Sequence, residues 1–230
     1  EAEWRGEAWC RGWDVDIGNG RPYGSVGYAE GVGMVRGRGG DRGCRVVVAV
    51  APKGSDSGTG LSVEGTDYML LGECADRVFL KTYEWGNVYG PPMAVAPLDK
   101  VRQVVEYAVT KIPAKRLILG IPNYGYDWTL PYERGITRAR MVCSREAEET
   151  AAESGAVIRY AEIARSPWFT YEKGGADHTV WFEDIRSLTE KWKLAREFGL
   201  AGVRYWNLMQ EFPKEIMLLR AGKWSASGIG

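Results

Sequence analysis

Residues 117–128 read Leu-Ile-Leu-Gly-Ile-Pro-Asn-Tyr-Gly-Tyr-Asp-Trp, an apolar run that ends abruptly in aromatic, acidic and glycine residues. Residues 78–85, Val-Phe-Leu-Lys-Thr-Tyr-Glu-Trp, and residues 202–207, Gly-Val-Arg-Tyr-Trp-Asn, are built in the same way. A buried parallel strand has this pattern when its carboxyl end opens into a site. The sequence therefore predicts several strand ends with aromatic faces, which suit the apolar C–H faces of sugar rings.

The size and composition of the chain exclude several classes of function. Its 230 residues are enough for one large domain, which we expect to span residues 1–230. Lys and Arg (30) balance Asp and Glu (30), so nothing points to nucleic acid or an anionic membrane. No apolar run approaches the ~20 residues of a membrane helix, and no signal peptide is visible at Glu1. The oligomeric state is not predicted.

Metal and cofactor chemistry have no visible ligand set. The four Cys are irregularly spaced without a Cys-x-x-Cys pair, and the single His, His178, lies in a Gly-rich polar stretch. We therefore expect no zinc site, and we place His178 at the surface.

Strands and helices alternate along most of the chain. Five strands are predicted, at 13–17, 45–51, 77–82, 116–121 and 202–206, and the last four alternate with predicted helices at 67–75, 97–112 and 185–198. A final helix is predicted at 211–220. This alternation predicts parallel βα units, and chemistry at the carboxyl ends of such strands is typical of TIM barrels. We predict a TIM-type (β/α)8 barrel that lacks its first three strands. Residues 130–182 are predicted to form a small α+β insertion before the last helix–strand unit, with a turn at residues 173–175 between its last two short β runs.

Residues 1–44 form a divergent segment that holds 12 of the 30 Gly. Between Gly18 and Gly43 there is no helical periodicity, and each Gly costs a helix about 1 kcal/mol relative to Ala. We therefore predict no stable helix there. The strand before this stretch carries Asp14 and Asp16 at alternate positions, which face the same side of a strand.

Four motifs resemble glycoside hydrolase family 18. They are Thr-Tyr-Glu-Trp-Gly at 82–86, Gly-Pro-Pro-Met-Ala-Val-Ala-Pro at 90–97, Gly-Ile-Pro-Asn-Tyr-Gly-Tyr-Asp-Trp-Thr-Leu-Pro at 120–131, and Val-Trp-Phe-Glu-Asp at 180–184. They look most like the spore-germination branch of cortex-lytic N-acetylglucosaminidases. The resemblance implies a chitinase-like hydrolase of N-acetylglucosamine-containing glycans, either spore-cortex peptidoglycan or chitin-like, that uses no metal or organic cofactor. It also implies a spore coat, cortex or extracellular location.

The family signature Asp-x-x-Asp-x-Asp-x-Glu falls on Arg11, Asp14, Asp16 and Gly18. By resemblance, the acetamido oxygen of the substrate attacks its own anomeric carbon, an exception to the usual scheme of two carboxylates. Asp16 would orient the acetamide, but the Glu that should protonate the leaving group is Gly18. Residues 19–43 also depart from the family, and a local corruption of the sequence is one hypothesis that covers both departures.

The resemblance assigns further roles at the strand ends. Tyr83 would bind the acetamide carbonyl, Glu84 would contact sugar hydroxyls, and Trp206 would form the floor of the subsite that Tyr124 also lines. Candidates for flanking subsites, with core or loop packing as an equal alternative, are Trp85, Tyr126 and Trp128.

Glu183 and Asp184 precede a predicted helix, and we expect them to cap it. Three functions stay open: a glycosidase, a non-catalytic glycan-binding protein of the chitinase-like lectin type, and a non-functional fragment.

Overall fold

The computed structural model describes residues 12–16, 24–40, 44–57 and 65–207. These residues form two compact units, each assembled from segments that are distant in sequence. Unit 1 takes in the described residues up to 82 together with 103–120 and 195–204, and unit 2 takes in 83–102, 121–194 and 205–207.

The described α-helices are α1 (Ser25–Gly40), α2 (Tyr68–Cys74), α3 (Leu98–Lys111), α4 (Ser144–Glu153) and α5 (Ile185–Glu197). The described strands are β1 (Gly12–Asp16), β2 (Arg45–Val50), β3 (Arg77–Leu80), β4 (Leu117–Pro122), β5 (Tyr124–Thr129), β6 (Arg140–Cys143), β7 (Arg159–Ala161), β8 (Ser166–Lys173), β9 (Ala176–Trp181) and β10 (Gly202–Trp206). None of these helices is long and apolar enough to cross a membrane.

Unit 1 is organised by a sheet with the strand order β1-β2-β3-β4-β10. The pairs β1–β2, β2–β3 and β3–β4 are parallel, as the alternation of strands and helices predicts. The apolar runs form the centre of the sheet, where Val46, Val48, Leu80 and Leu119 are fully buried. The five predicted strands are thus confirmed, and so is the helix predicted at 67–75, where Asp67 caps α2 by accepting from Leu70 N at 3.0 Å.

The prediction that no stable helix forms between Gly18 and Gly43 is wrong. Helix α1 occupies Ser25–Gly40 although six of its residues are glycine. Its Ala29 and Val32 are buried, and Arg36 contacts Asp76 (Nε–Oδ1, 2.9 Å). Packing within unit 1 therefore overrides the poor intrinsic helix propensity of the sequence.

Unit 2 contains an antiparallel sheet in the order β6-β5-β9-β8-β7. Gly174 and Gly175, with φ of +62° and +78°, form the predicted turn between β8 and β9. One face of this sheet packs against α4 in a core whose buried members are Val142, Ala147, Ala151, Phe169, Val180 and Phe182.

Strand β6 was not predicted, and neither was β5, whose residues read as the exit of the preceding strand rather than as a strand. Within β5, Gly125 is required by a close approach of the backbone. A Cβ at this position would lie 2.2 Å from the carbonyl oxygen of Trp181 on β9. The sheet runs over 124–181 and so begins before the predicted insertion at 130. The helix predicted at 211–220 lies outside the described residues.

Two predictions about polar residues of unit 2 are wrong. His178 is not a surface residue, since its side chain is only 15% exposed and its Nδ1 lies 3.0 Å from Asp127 Oδ1. Asp184 does cap α5 by accepting from Ser187 N at 3.0 Å, but Glu183 does not. Glu183 is fully buried and forms an ion pair with Lys191, which lies eight residues further along the chain.

Candidate active site

Asp14 and Asp16 are the candidate carboxylates of unit 1. They lie on β1 opposite Val47 and Ala49 of β2, and each makes an ion pair. Asp16 Oδ1 lies 2.8 Å from Lys81 Nζ, which follows β3 directly. The position of Gly18 lies outside the described residues.

Asp14 on β1, the first strand in the sheet order, forms an ion pair with Arg204 on β10, the last strand. Its Oδ2 lies 2.5 Å from Arg204 Nη1 of β10, and the guanidinium carbon of Arg204 lies 5.4 Å from the centre of the Phe79 ring. Neither cation was predicted as part of the site. A signal was available, because Lys81 and Arg204 each place a charge next to the apolar residues of a predicted strand.

The turn that follows β3 belongs to unit 2 and carries Tyr83 and Glu84. Tyr83 is 9% exposed, whereas Glu84 is exposed and has a φ of +71°, a conformation uncommon outside glycine. The backbone is fixed at the next two residues, since Trp85 N donates to Val95 O at 3.0 Å and Gly86 N donates to Ala94 O at 2.9 Å.

Glu84 is the centre of a hydrogen-bonded group in unit 2. Its Oε1 accepts from the hydroxyl of Tyr124 and, at 2.9 Å, from the hydroxyl of Tyr126. Both rings are 1% exposed, and they meet edge to face at 5.7 Å. Burial, followed by the charge of Glu84, raises the pKa of both tyrosines above the ordinary phenol value, so both remain donors.

The predicted tryptophans of unit 2 occupy different environments. Trp206 ends β10 with half of its surface exposed (50%), and Trp85 is partly buried. Trp128 is fully buried, and its indole N–H donates to Gly90 O at 2.9 Å. The structure thus gives Trp128 a packing contact with the loop after β3, while its role at a sugar subsite stays a prediction.

The described residues bring together Glu84, Tyr124 and Tyr126 in unit 2, and Asp14, Asp16 and two cations in unit 1. Among residues 12–16, 24–40, 44–57 and 65–207, no group of three or more His, Cys, Asp or Glu could hold a metal ion. The chemistry available to these groups is that of carboxylates, phenol hydroxyls and an exposed indole.

Comparison with known proteins identifies the family. The model of Glycosyl hydrolases family 18 matches residues 32–211. The chain belongs to glycosyl hydrolase family 18. The predicted enzyme class, a glycoside hydrolase by family resemblance, is thereby confirmed. The matched segment contains Tyr83, Glu84 and Trp206, whereas Asp14 and Gly18 precede it.

Relatives of this family 18 chain include the cortical fragment-lytic enzyme of Bacillus subtilis (strain 168). The two are 44% identical over 178 residues, which cover 77% of this chain and 41% of that protein. The chain therefore spans less than half the length of this relative.

Solved structures confirm the predicted fold class, the chitinase-like TIM barrel. The spore cortex-lytic enzyme of Bacillus megaterium aligns with a TM-score of 0.86 and 39% identity, covering 91% of this chain and 48% of that one. A chitinase from Chromobacterium violaceum aligns with a TM-score of 0.84 and 27% identity, covering 94% and 67%.

Proposed function

We propose that this family 18 chain recognises and hydrolyses N-acetylglucosamine-containing glycans of the spore cortex. The observation that carries the proposal is the Glu84 group, in which two buried tyrosine hydroxyls hold one exposed carboxylate. A carboxylate fixed by two donors is preorganised to accept hydrogen bonds from sugar hydroxyls. The names of the relatives, a cortical fragment-lytic enzyme and a spore cortex-lytic enzyme, support the cortex as the location and the source of the substrate.

The proposed chemistry is substrate-assisted and retains the configuration of the sugar. The acetamido oxygen forms a bond to the anomeric carbon while the glycosidic C–O bond breaks, and the leaving oxygen takes a proton, for which solvent water is the donor when position 18 is Gly. Water then attacks the anomeric carbon, the bond to the acetamido oxygen breaks, and the proton released by the water returns to solvent. Asp16 is proposed to orient the acetamide, and Tyr83 to donate to its carbonyl. Trp206 is proposed to stack on the sugar, a role that its exposed indole permits.

A second candidate function is glycan binding without turnover. Gly18 stands at the position of the general acid and has no proton to give. Loss of general acid catalysis alone lowers the rate by about 10²–10⁴-fold. This candidate keeps the roles of Glu84 and Trp206 and omits the chemical step.

Hydrolysis and binding assays on the parent chain and on Gly18→Glu separate these candidates. Both are given N-acetylglucosamine oligomers and cortex fragments. Cleavage by the parent supports the enzyme as it stands, and cleavage by Gly18→Glu alone supports a glycan-binding chain whose acid is absent. If neither protein cleaves or binds, and neither melts cooperatively, the non-functional fragment is the correct interpretation and the proposal is rejected.

A further inference from the structure

Asn123, which lies between β4 and β5, makes two hydrogen bonds to the end of β10. Its backbone N–H donates to the carbonyl oxygen of Trp206 at 3.1 Å, and its side-chain Nδ2 donates to the carbonyl oxygen of Asn207 at 2.8 Å. One residue therefore holds two consecutive carbonyl groups, and all three residues belong to unit 2.

In the side chain of the buried Asn123, the amide N–H donor is used in a hydrogen bond and the amide oxygen is not. The residue is 4% exposed, and its Oδ1 is buried without a hydrogen-bond partner among the described residues. A buried amide with an unmet acceptor costs more free energy than an apolar side chain of similar size. Of these two hydrogen bonds, the one from the side chain of Asn123 to Asn207 is the one that an apolar residue could not make.

Trp206 depends on this backbone anchor more than a core tryptophan would. Half of its side chain is exposed, so surrounding side chains constrain the indole only in part. The residue after Asn123 is Tyr124, whose hydroxyl holds Glu84. The segment 123–124 thus hydrogen-bonds both to the backbone of Trp206, which carries the exposed indole, and to the exposed carboxylate of Glu84.

We propose that Asn123 is a positioning residue that sets the orientation of the Trp206 indole for stacking on a sugar ring. The stacking on a sugar ring rests on the proposed function, whereas the effect of Asn123 on the orientation of Trp206 does not. Asn123 itself touches no substrate in this proposal. It acts by fixing the carbonyl groups of Trp206 and Asn207.

The first test reads the indole directly and needs no glycan. The protein is labelled with 5-fluorotryptophan, and the fluorine resonance of Trp206 is identified by its loss in Trp206→Phe. In Asn123→Asp, which keeps the shape but replaces the donor with an oxygen facing a carbonyl, we expect this resonance to shift or broaden. Asn123→Ala, which removes the donor without adding charge, should do the same.

A matched control carries the same added charge elsewhere. Gln103→Glu lies on the exposed side of α3 in unit 1, and it should leave the Trp206 resonance unchanged. The resonance of the buried Trp128 should stay in place in every variant that melts cooperatively. A Trp206 resonance that is unaltered in both Asn123 variants would overturn the proposal, as would an equal disturbance of Trp128.

The second test is a double-mutant cycle on the dissociation constant for the N-acetylglucosamine tetramer. If Asn123 acts through the indole, Asn123→Asp should weaken binding at least about threefold in the parent and by less than about 1.5-fold in Trp206→Ala. Equal losses in both backgrounds would contradict action through Trp206. If the parent binds no tetramer, the proposed function fails, and the fluorine spectra still decide the role of Asn123.

Discussion

Replacing Lys191 with Met should destabilise the protein far more than an equivalent change on the surface of the same helix. Lys191 and Glu183 are both 0% exposed, and the ammonium lies 3.0 and 2.8 Å from the two carboxylate oxygens. Removing one partner leaves an uncompensated buried charge, which costs about 3–5 kcal/mol. For a chain of this size, that loss corresponds to a fall in melting temperature of about 6–20 °C.

The control is Lys193→Met, two residues further along α5. Lys193 is 67% exposed and pairs with Glu190 at 2.7 Å, a surface ion pair of the kind that contributes about 0–1 kcal/mol. Urea and thermal unfolding followed by circular dichroism measure both variants. A loss for Lys191→Met no greater than that for Lys193→Met would refute the reasoning.

A double variant and the pH dependence separate a buried charge from lost packing. In Lys191→Met/Glu183→Leu no charge remains, and the stability should return to that of the parent or exceed it by about 1–4 kcal/mol. Burial already raises the pKa of Glu183, although Lys191 opposes the shift. A carboxyl with a raised pKa binds more protons in the folded than in the unfolded protein. The free energy of unfolding therefore falls as the pH rises from the unfolded-state pKa of Glu183 to its higher folded-state pKa. The loss of stability in Lys191→Met should accordingly be smaller at acidic pH.

Two further changes test unit 2. Gly125→Ala would bring a Cβ to 2.2 Å from the carbonyl oxygen of Trp181, and unfolding experiments should show a loss of about 1–3 kcal/mol in stability. The control is Gly202→Ala, whose Cβ would meet nothing within 4 Å and which should change the stability little. Burial, followed by the hydrogen bond to Asp127, raises the pKa of Tyr171 to about 12, so spectrophotometric titration of Asp127→Asn should show a tyrosine that ionises at lower pH. Since the pKa of the unfolded phenol is near 10, the stability that this shift contributes should be present below pH 10 and lost as the pH rises toward 12. A titration curve of Asp127→Asn identical to that of the parent would contradict the role of Asp127.

The parallel strands of unit 1 could be predicted because each is a compact apolar run, and burial is the dominant constraint on such a run. Helix α1 could not, since its six glycines argue against a helix and its stabilising contacts, such as Arg36 with Asp76, come from residues far along the chain. Strand β5 was hidden for a different reason. Its Tyr-Gly-Tyr-Asp-Trp sequence lacks the polar alternation of a half-buried strand, because both of its faces are covered.

In the candidate site, too, some residues could be predicted from local sequence and others could not. The resemblance of residues 82–86 and 120–131 to the family led to Glu84 and Tyr124, which the structure joins by a hydrogen bond. Lys81 and Arg204 were missed because their partnership with Asp16 and Asp14 depends on which strands face one another across a sheet. No spacing along one segment encodes that proximity.

The strand order of unit 1 has a consequence for folding during synthesis. Strands β1 to β4 leave the ribosome long before β10, whose residues 202–206 complete one end of the sheet and bring Arg204 to Asp14. The antiparallel sheet, in contrast, draws all of its strands from one continuous stretch, residues 124–181. Because distant pairings form slowly, we expect the antiparallel sheet to form first and the unpaired edge of β4 to stay open to other nascent chains until β10 arrives.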